Sequence, residues 1–515
     1  MKDTFCSFYT ESKIITNYMV SQIKLCNGDI VLEPSAGEGV FIDEMLNKSI
    51  KIDALDINPQ AISTLKHKYQ NLDNITIRET DTLLDKSLDN YCDTQLWLKN
   101  TDTLLDNELD MLSSIGGYYD KIIGNPPYGA WQDYSKRQIL KKKYSGFYVK
   151  ETYSLFLLRC LSLLKKDGIL SFIIPDTFLY LNSHKQLRKI LLTNAKIHEI
   201  LIFPSKFFPG VNFGYSNLSI ITLSRSDLNS SLKNNVKIIK GFKSPDEFLL
   251  TKSQLPSHLE SYTINQQDIF KNEGHKFLIT ETKMDFINCP KLGDFADVVT
   301  GFYSGANNQY IKVLNHNVKN SKNYDIVDNK KIYESSSLNG VDVSDDAYIP
   351  YIKSASENRY LRMTDEWFVK WDKNTILQYN KNPKTRFQNS KYYFKTGIGL
   401  PMIKSNTIKA FLMEQRVFDQ SIVGIFPKDS KNLYYMLAFT NSDVFNKLIH
   451  IINPTANNSA NYIKQVPYLI PSQEDFNNIT NNVYDIMKLL TDSNIEQANI
   501  IHQNNNEIFN KIYNM

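Results

Sequence analysis

Between residue 29 and about residue 225, short apolar runs alternate with stretches whose apolar residues recur three and four apart. The runs are DIVLEPSAGEG, KIDALDINPQ, KIIGNPPYG, GILSFIIPDTF, HEILIFP and NLSIITL. Runs rich in Ile, Leu and Val with few polar interruptions fit strands covered on both faces. Their alternation with helical stretches predicts an open, mainly parallel α/β sheet. In such sheets ligands bind beyond the carboxyl ends of the strands, which is where the Gly-, Asp- and Asn-containing parts of these runs fall.

After Arg225 comes SDLNSSLKNN, and the alternation stops. A boundary near residue 240 follows, giving units 1–240 and 241–515. The second unit mixes Tyr, Lys and Asn with short strand-like runs of no clear period, which reads as α+β. Its last forty residues space apolar positions three and four apart, predicting one or two amphipathic helices. Thr80-Asp81-Thr82-Leu83-Leu84-Asp85 recurs as Thr101-Asp102-Thr103-Leu104-Leu105-Asp106, a local duplication too short for a repeat architecture.

Composition narrows the function. With 59 Lys and Arg against 55 Asp and Glu, the net charge is only +4, so a nucleic-acid surface has to come from segregated charge. Such segregation exists: from Lys370 to Lys404 eight cations face one acid, with Trp371, Tyr379, Phe387, Tyr392, Tyr393 and Phe394 interleaved. That pattern predicts phosphate contact through residues such as Lys381, Lys384 and Arg386. A second cluster, with Lys136, Arg137 and Lys141, follows KIIGNPPYG and could grip a backbone beside it. Five scattered cysteines without a C-x-x-C pair argue against zinc or redox chemistry, and no metal site is expected. The N-terminus lacks an apolar signal core and no run of about 18 apolar residues occurs, so a soluble cytoplasmic protein without membrane contact is expected.

Two segments carry chemistry. Val31-Leu32-Glu33-Pro34-Ser35-Ala36-Gly37-Glu38-Gly39 is a strand running into a small-residue turn, where Gly37 and Gly39 let the backbone approach a ligand. Neither G-x-G-x-x-G nor a P-loop is present. Asp56 ends the next strand, where an acid accepts hydrogen bonds from ribose hydroxyls. In Ile122-Ile123-Gly124-Asn125-Pro126-Pro127-Tyr128, a buried strand enters a loop whose prolines fix φ and remove donors, leaving carbonyls free to point at a ligand.

Together these segments resemble the gamma-type, TaqI-like N6-adenine DNA methyltransferases of restriction-modification systems. The resemblance implies a Rossmann-like S-adenosylmethionine-dependent catalytic domain followed by an α+β target-recognition domain that binds double-stranded DNA. It places the cofactor on Glu33, Pro34, Ala36, Gly37 and Gly39, on Asp56 with Ile57, and on Thr10 of Phe8-Tyr9-Thr10, where Glu11 replaces the family's usual Pro. The acid for the cofactor's adenine is Asp81 or Asp102; Asp81, directly after the third predicted strand, is the choice here. Asn125, Pro126, Pro127 and Tyr128 become the catalytic loop. The Asn125 side-chain oxygen and the Pro126 carbonyl accept the target amine's hydrogens, and Tyr128 stacks on a base flipped from the duplex. Phe208 matches a later motif that packs against the flipped adenine. Cytosine-N4 enzymes more often carry Ser in place of Asn125. The implied role is modification, alone or beside a separately encoded restriction endonuclease, without cleavage by this chain. Two alternatives stand: a protein-glutamine N-methyltransferase, and a DNA-specificity module that no longer reacts.

Overall fold

The structure is a computed structural model. It describes residues 12–515 except 96, 99–116, 129–133, 209–216, 254, 281–285, 287, 357, 404–406 and 455–456. The chain divides into two compact units, Met1–Glu281 and Thr282–Met515.

The first unit opens with helix α1 (Lys13–Gln22), whose Ile15, Tyr18 and Met19 are buried. Strand β1 (Ile30–Glu33) leads through a turn into the short helix α2 (Val40–Asp43), then β2 (Lys51–Asp56), α3 (Pro59–Lys68) and β3 (Ile75–Glu79). The α3 start has a simple cause: the Asn58 side chain accepts the Gln60 N–H, and Pro59 presets the first helical φ. Next come β4 (Tyr119–Gly124), α4 (Tyr134–Lys143), α5 (Thr152–Leu163), β5 (Leu164–Pro175), α6 (Lys185–Asn194), β6 (Ala195–Pro204), β7 (Asn217–Arg225), β8 (Asn235–Lys240) and β9 (Glu260–Asn265).

All nine strands form one sheet in the order β3-β2-β1-β4-β5-β7-β6-β8-β9. The β3 to β5 half is wholly parallel, while β7 runs antiparallel to both β5 and β6. Every residue of α5 is buried, including Arg159, so the helix is apolar nearly all round. Two nitrogens of the Arg159 guanidinium find partners, Nη1 in Asp89 at 2.6 Å and the Thr94 hydroxyl and Nη2 in the Asp85 carbonyl, while its Nε has none among the described residues.

The boundary falls at Glu281, beyond the expected residue 240, because β8 and β9 extend the sheet of the first unit. The polar stretch after Arg225 is a turn of helix between two strands of that sheet, capped by Asp227. Polarity marked a surface connection there, and no change of unit.

The second unit is α+β. Strands β10 (Ala296–Thr300), β11 (Ile311–Val313), β12 (Tyr348–Ile352) and β13 (Trp367–Lys370) precede helix α7 (Lys373–Lys381). Strands β14 (Gly397–Pro401), β15 (Phe411–Met413), β16 (Val417–Phe418) and β17 (Ile422–Pro427) follow. They make two four-stranded sheets, β10-β17-β14-β15 and β11-β13-β12-β16. The chain closes with the longer helices α8 (Leu433–Asn441), α9 (Asp443–Ile452), α10 (Gln473–Thr491) and α11 (Ile495–Tyr513), with a single helical turn, Ala460–Ile463, between α9 and α10. The last two are the expected amphipathic pair, and they bury Ile479, Val483, Ile486 and Phe509 against the first of these sheets' core. Among the described residues no helix is long and apolar enough to cross a membrane.

Candidate active site

The strand order carries the site. Because β3, β2, β1 and β4 are parallel neighbours, their carboxyl ends stand in a row. Glu33 ends β1, Asp56 ends β2, Asp81 lies two residues past β3, and Asn125 follows β4. Three strand spacings separate the outer members, about 14 Å, and three carboxylates lead along that row to the Asn-Pro-Pro-Tyr loop.

Asp56 builds the turn it stands beside. One carboxylate oxygen accepts the Gly37 N–H at 2.8 Å and the other accepts the Asn58 N–H at 2.8 Å. Burial nevertheless raises its carboxyl above the usual range, against the lowering effect of those backbone bonds. Gly37 sits at φ +53°. Gly39 sits at φ +79°, and a Cβ there would meet the Tyr69 hydroxyl at 2.5 Å and Leu65 at 2.8 Å. Its missing side chain answers to Leu65 of α3 and to Tyr69 just beyond it, whose hydroxyl bonds the Gly39 carbonyl at 2.9 Å, and to the left-handed start of α2.

Glu33 is buried, and burial pushes its carboxyl far above the usual range, with Asp56 and Asp43 adding to the effect. Its Oε2 has no hydrogen-bond partner among the described residues. Pro34 and Ala36 are buried beside it, while Ile57 is 40% exposed just beyond Asp56. Asp81 accepts the Leu83 N–H at 3.1 Å and pairs with the Lys136 ammonium at 2.8 Å. Thr10 and Asp102 lie outside the described residues.

Asn125 is half-buried, Pro126 and Tyr128 are buried, and Tyr128 is only 1% exposed. Burial raises the Tyr128 phenol, and the neighbouring Asn125 side chain opposes that rise. Phe208 is 4% exposed, its ring 6.3 Å from that of Phe203 in a stacked arrangement. Both rings assigned to base stacking are thus covered in this structure, and Phe208 belongs to the aromatic core. Three hydroxyls that motif reading did not single out hold the two chemical segments. Thr82 donates to the Pro34 carbonyl at 2.6 Å, Ser35 to the Asn125 carbonyl at 3.1 Å, and Thr152 to the Pro127 carbonyl. Their partners lie 48, 90 and 25 residues away in sequence. No local pattern signals such pairings.

The basic clusters divide differently from expectation. Of the three α4 cations expected to grip a backbone, only Lys141 is exposed; Lys136 points to Asp81, and Arg137 is half-buried with its Nε unpartnered among the described residues. In the second unit Lys370 pairs with Asp346 at 2.7 Å and Lys373 with Asp342 at 2.6 Å. Lys381, Lys384, Arg386, Lys391 and Lys395 are exposed or half-buried, and none forms an ion pair among the described residues. The interleaved Trp371, Tyr379, Tyr392 and Tyr393 are buried, and Phe387 packs against them, so the rings serve the core and only the cations face outward. Lys404 lies outside the described residues. Among these residues no cluster of three His, Cys, Asp or Glu is placed to hold a metal ion.

The mixed α/β architecture with its large, parallel-rich sheet is the fold class expected from the sequence. Residues 50–208 match the Eco57I restriction-modification methylase family. The chain is similar to the Type II methyltransferase M.AccI of Acinetobacter calcoaceticus, 26% identical over 322 residues covering 59% of this chain and 53% of that protein. It is also similar to the Type II methyltransferase M.HindII of Haemophilus influenzae, 22% identical over 485 residues covering 84% and 83%. The chain thus spans about half the length of the first relative and most of the second. Among solved structures, the DrdV–DNA complex shares the fold with a TM-score of 0.54 at 13% identity, over 94% of this chain and 58% of that one.

Proposed function

We propose that the chain is a DNA methyltransferase that moves a methyl group from S-adenosylmethionine to the N6 amine of an adenine flipped out of double-stranded DNA. The observation that carries this reading is the row of Glu33, Asp56 and Asp81 at adjoining strand ends, leading to Asn125-Pro126-Pro127-Tyr128 on the next strand. The residues fit such a cofactor. Ile57 offers an exposed apolar side chain beside Asp56, and the Glu33 Oε2 is a buried oxygen awaiting a donor. Asp56 would hold the ribose hydroxyls and Asp81 the cofactor's adenine, with Ile57 covering its ring.

When bound, the cofactor supplies an electrophilic methyl group on a sulfonium. The chain's own residues do the rest by position. The Asn125 side-chain oxygen and Pro126 carbonyl accept the two hydrogens of a weakly nucleophilic exocyclic amine, turning its lone pair toward the methyl group. Tyr128 stacks on the extruded base once its covering has moved aside. The second unit, with its outward cations, supports DNA as substrate over a protein glutamine. Asn in place of Ser at residue 125 favours adenine over cytosine.

The deciding experiment incubates unmethylated plasmid DNA with the chain and radiolabelled cofactor, then identifies the modified base by mass spectrometry. N6-methyladenine is expected. Asn125→Ala should lose transfer while keeping cofactor affinity, since Asn125 acts on the amine alone. Label appearing only in glutamine of added protein would overturn the reading.

A further inference from the structure

We propose that Thr152 and Ser35 are positioning residues for methyl transfer, which aim the Pro126 carbonyl by pinning the peptide planes on either side of it. The inference rests on the function proposed above and adds to it two hydroxyls to which the sequence reading gave no role.

The Asn-Pro-Pro-Tyr loop has three successive carbonyls before Tyr128. That of Asn125 accepts the Ser35 hydroxyl at 3.1 Å, and that of Pro127 accepts the Thr152 hydroxyl. The Pro126 carbonyl between them accepts no hydrogen bond among the described residues. A carbonyl held by a hydroxyl fixes the plane of its peptide unit. Pro126 and Pro127 each have φ locked near −65° by their rings, so few torsions remain between the two pinned planes. The middle carbonyl then has one direction left to it, set before any base arrives.

The two hydroxyls come from different places. Ser35 lies in the turn that Asp56 organises, directly after β1. Thr152 is the first residue of α5, the helix buried along its whole length. Ser35 therefore ties the loop to the cofactor turn, and Thr152 ties it to a helix held by packing on every side. Displacement of a reacting group by about 1 Å can cost on the order of 100-fold in rate, so losing either tie should slow transfer without loosening binding.

The test compares wild type, Thr152→Val, Thr152→Ser and Ser35→Ala. Single-turnover methylation of unmethylated plasmid DNA, cofactor affinity by calorimetry, plasmid affinity and thermal midpoint are read for each. Thr152→Val should transfer about 10- to 100-fold more slowly with both affinities within about twofold of wild type. Thr152→Ser, which keeps the hydroxyl, should restore most of the rate. Ser35→Ala should slow transfer in the same sense. If Thr152→Val fails to fold, Thr152→Cys against Thr152→Ser makes the same comparison, the thiol being a weak donor of similar size. A Thr152→Val or Thr152→Cys rate within about twofold of wild type, or Thr152→Ser as slow as either, refutes the positioning role. Wild type that transfers no methyl group to DNA refutes instead the functional reading beneath it.

Discussion

Removing the Asp56 carboxylate should affect two measurements at once, and the structure sets the size of each. In Asp56→Ala the Gly37 and Asn58 N–H groups both lose a charged acceptor at 2.8 Å. A net hydrogen bond to a charged group is worth about 1.5–3 kcal/mol. The site is half-buried, so water can reclaim part of this, and relief of the buried charge offsets more. A loss of about 2 kcal/mol in unfolding free energy is the expected balance. Cofactor affinity should fall separately, by about 1–3 kcal/mol for the missing ribose bonds, or about 5- to 150-fold in Kd. Asp56→Asn, which keeps one acceptor, should lie between wild type and Ala in both. Chemical denaturation gives the first quantity and titration calorimetry the second. Unchanged affinity together with an unchanged denaturation midpoint in Asp56→Ala would sink both the turn-building and the ribose-binding roles.

Two other outcomes are expected. Neutralising Lys381, Lys384 and Arg386 together should weaken duplex binding and flatten its salt dependence by about one unit of slope for each phosphate left without its cation; an unchanged slope in a filter-binding series returns these residues to an ordinary solvated face. Burial pushes the Asp176 carboxyl up to about 6, with Asn217 opposing the rise. A carboxyl held above its unfolded value near 3.9 contributes stability while protonated, and loses that contribution as pH climbs from about 4 through about 6. Asp176→Asn should therefore flatten the stability profile in that window, and a profile parallel to wild type in urea melts between about pH 4 and about pH 7 would contradict the assignment.

The sheet of the first unit was legible because buried parallel strands leave continuous apolar runs. DIVLE, KIDALD and KIIG end where β1, β2 and β4 end, and Asp56 and Asn125 sit at their carboxyl ends. What could not be read was anything decided by partners distant in sequence. Ser35, Thr82 and Thr152 look like ordinary small polar residues until the sheet brings their carbonyls within reach. Lys136 reads as a cation available to a nucleic-acid backbone, yet the Asp81 carboxylate, far earlier in the chain, pairs with it. The unit boundary was missed for a related reason: an edge strand such as β9, exposed along much of one face, has no run distinct enough to announce that it extends an earlier sheet.

The split between rings and cations from Lys370 to Lys395 has a consequence for descent. Trp371, Tyr379, Tyr392 and Tyr393 are committed inward, where exchange of a large ring for a small side chain costs about 3–5 kcal/mol. Lys381, Lys384, Arg386 and Lys395 lie outside that packing, where a substitution usually shifts stability by no more than about 0.5 kcal/mol. Inheritance can therefore edit this face one letter at a time while the rings beneath keep the same shape. Charge pattern and architecture become separately heritable traits of one short stretch of chain.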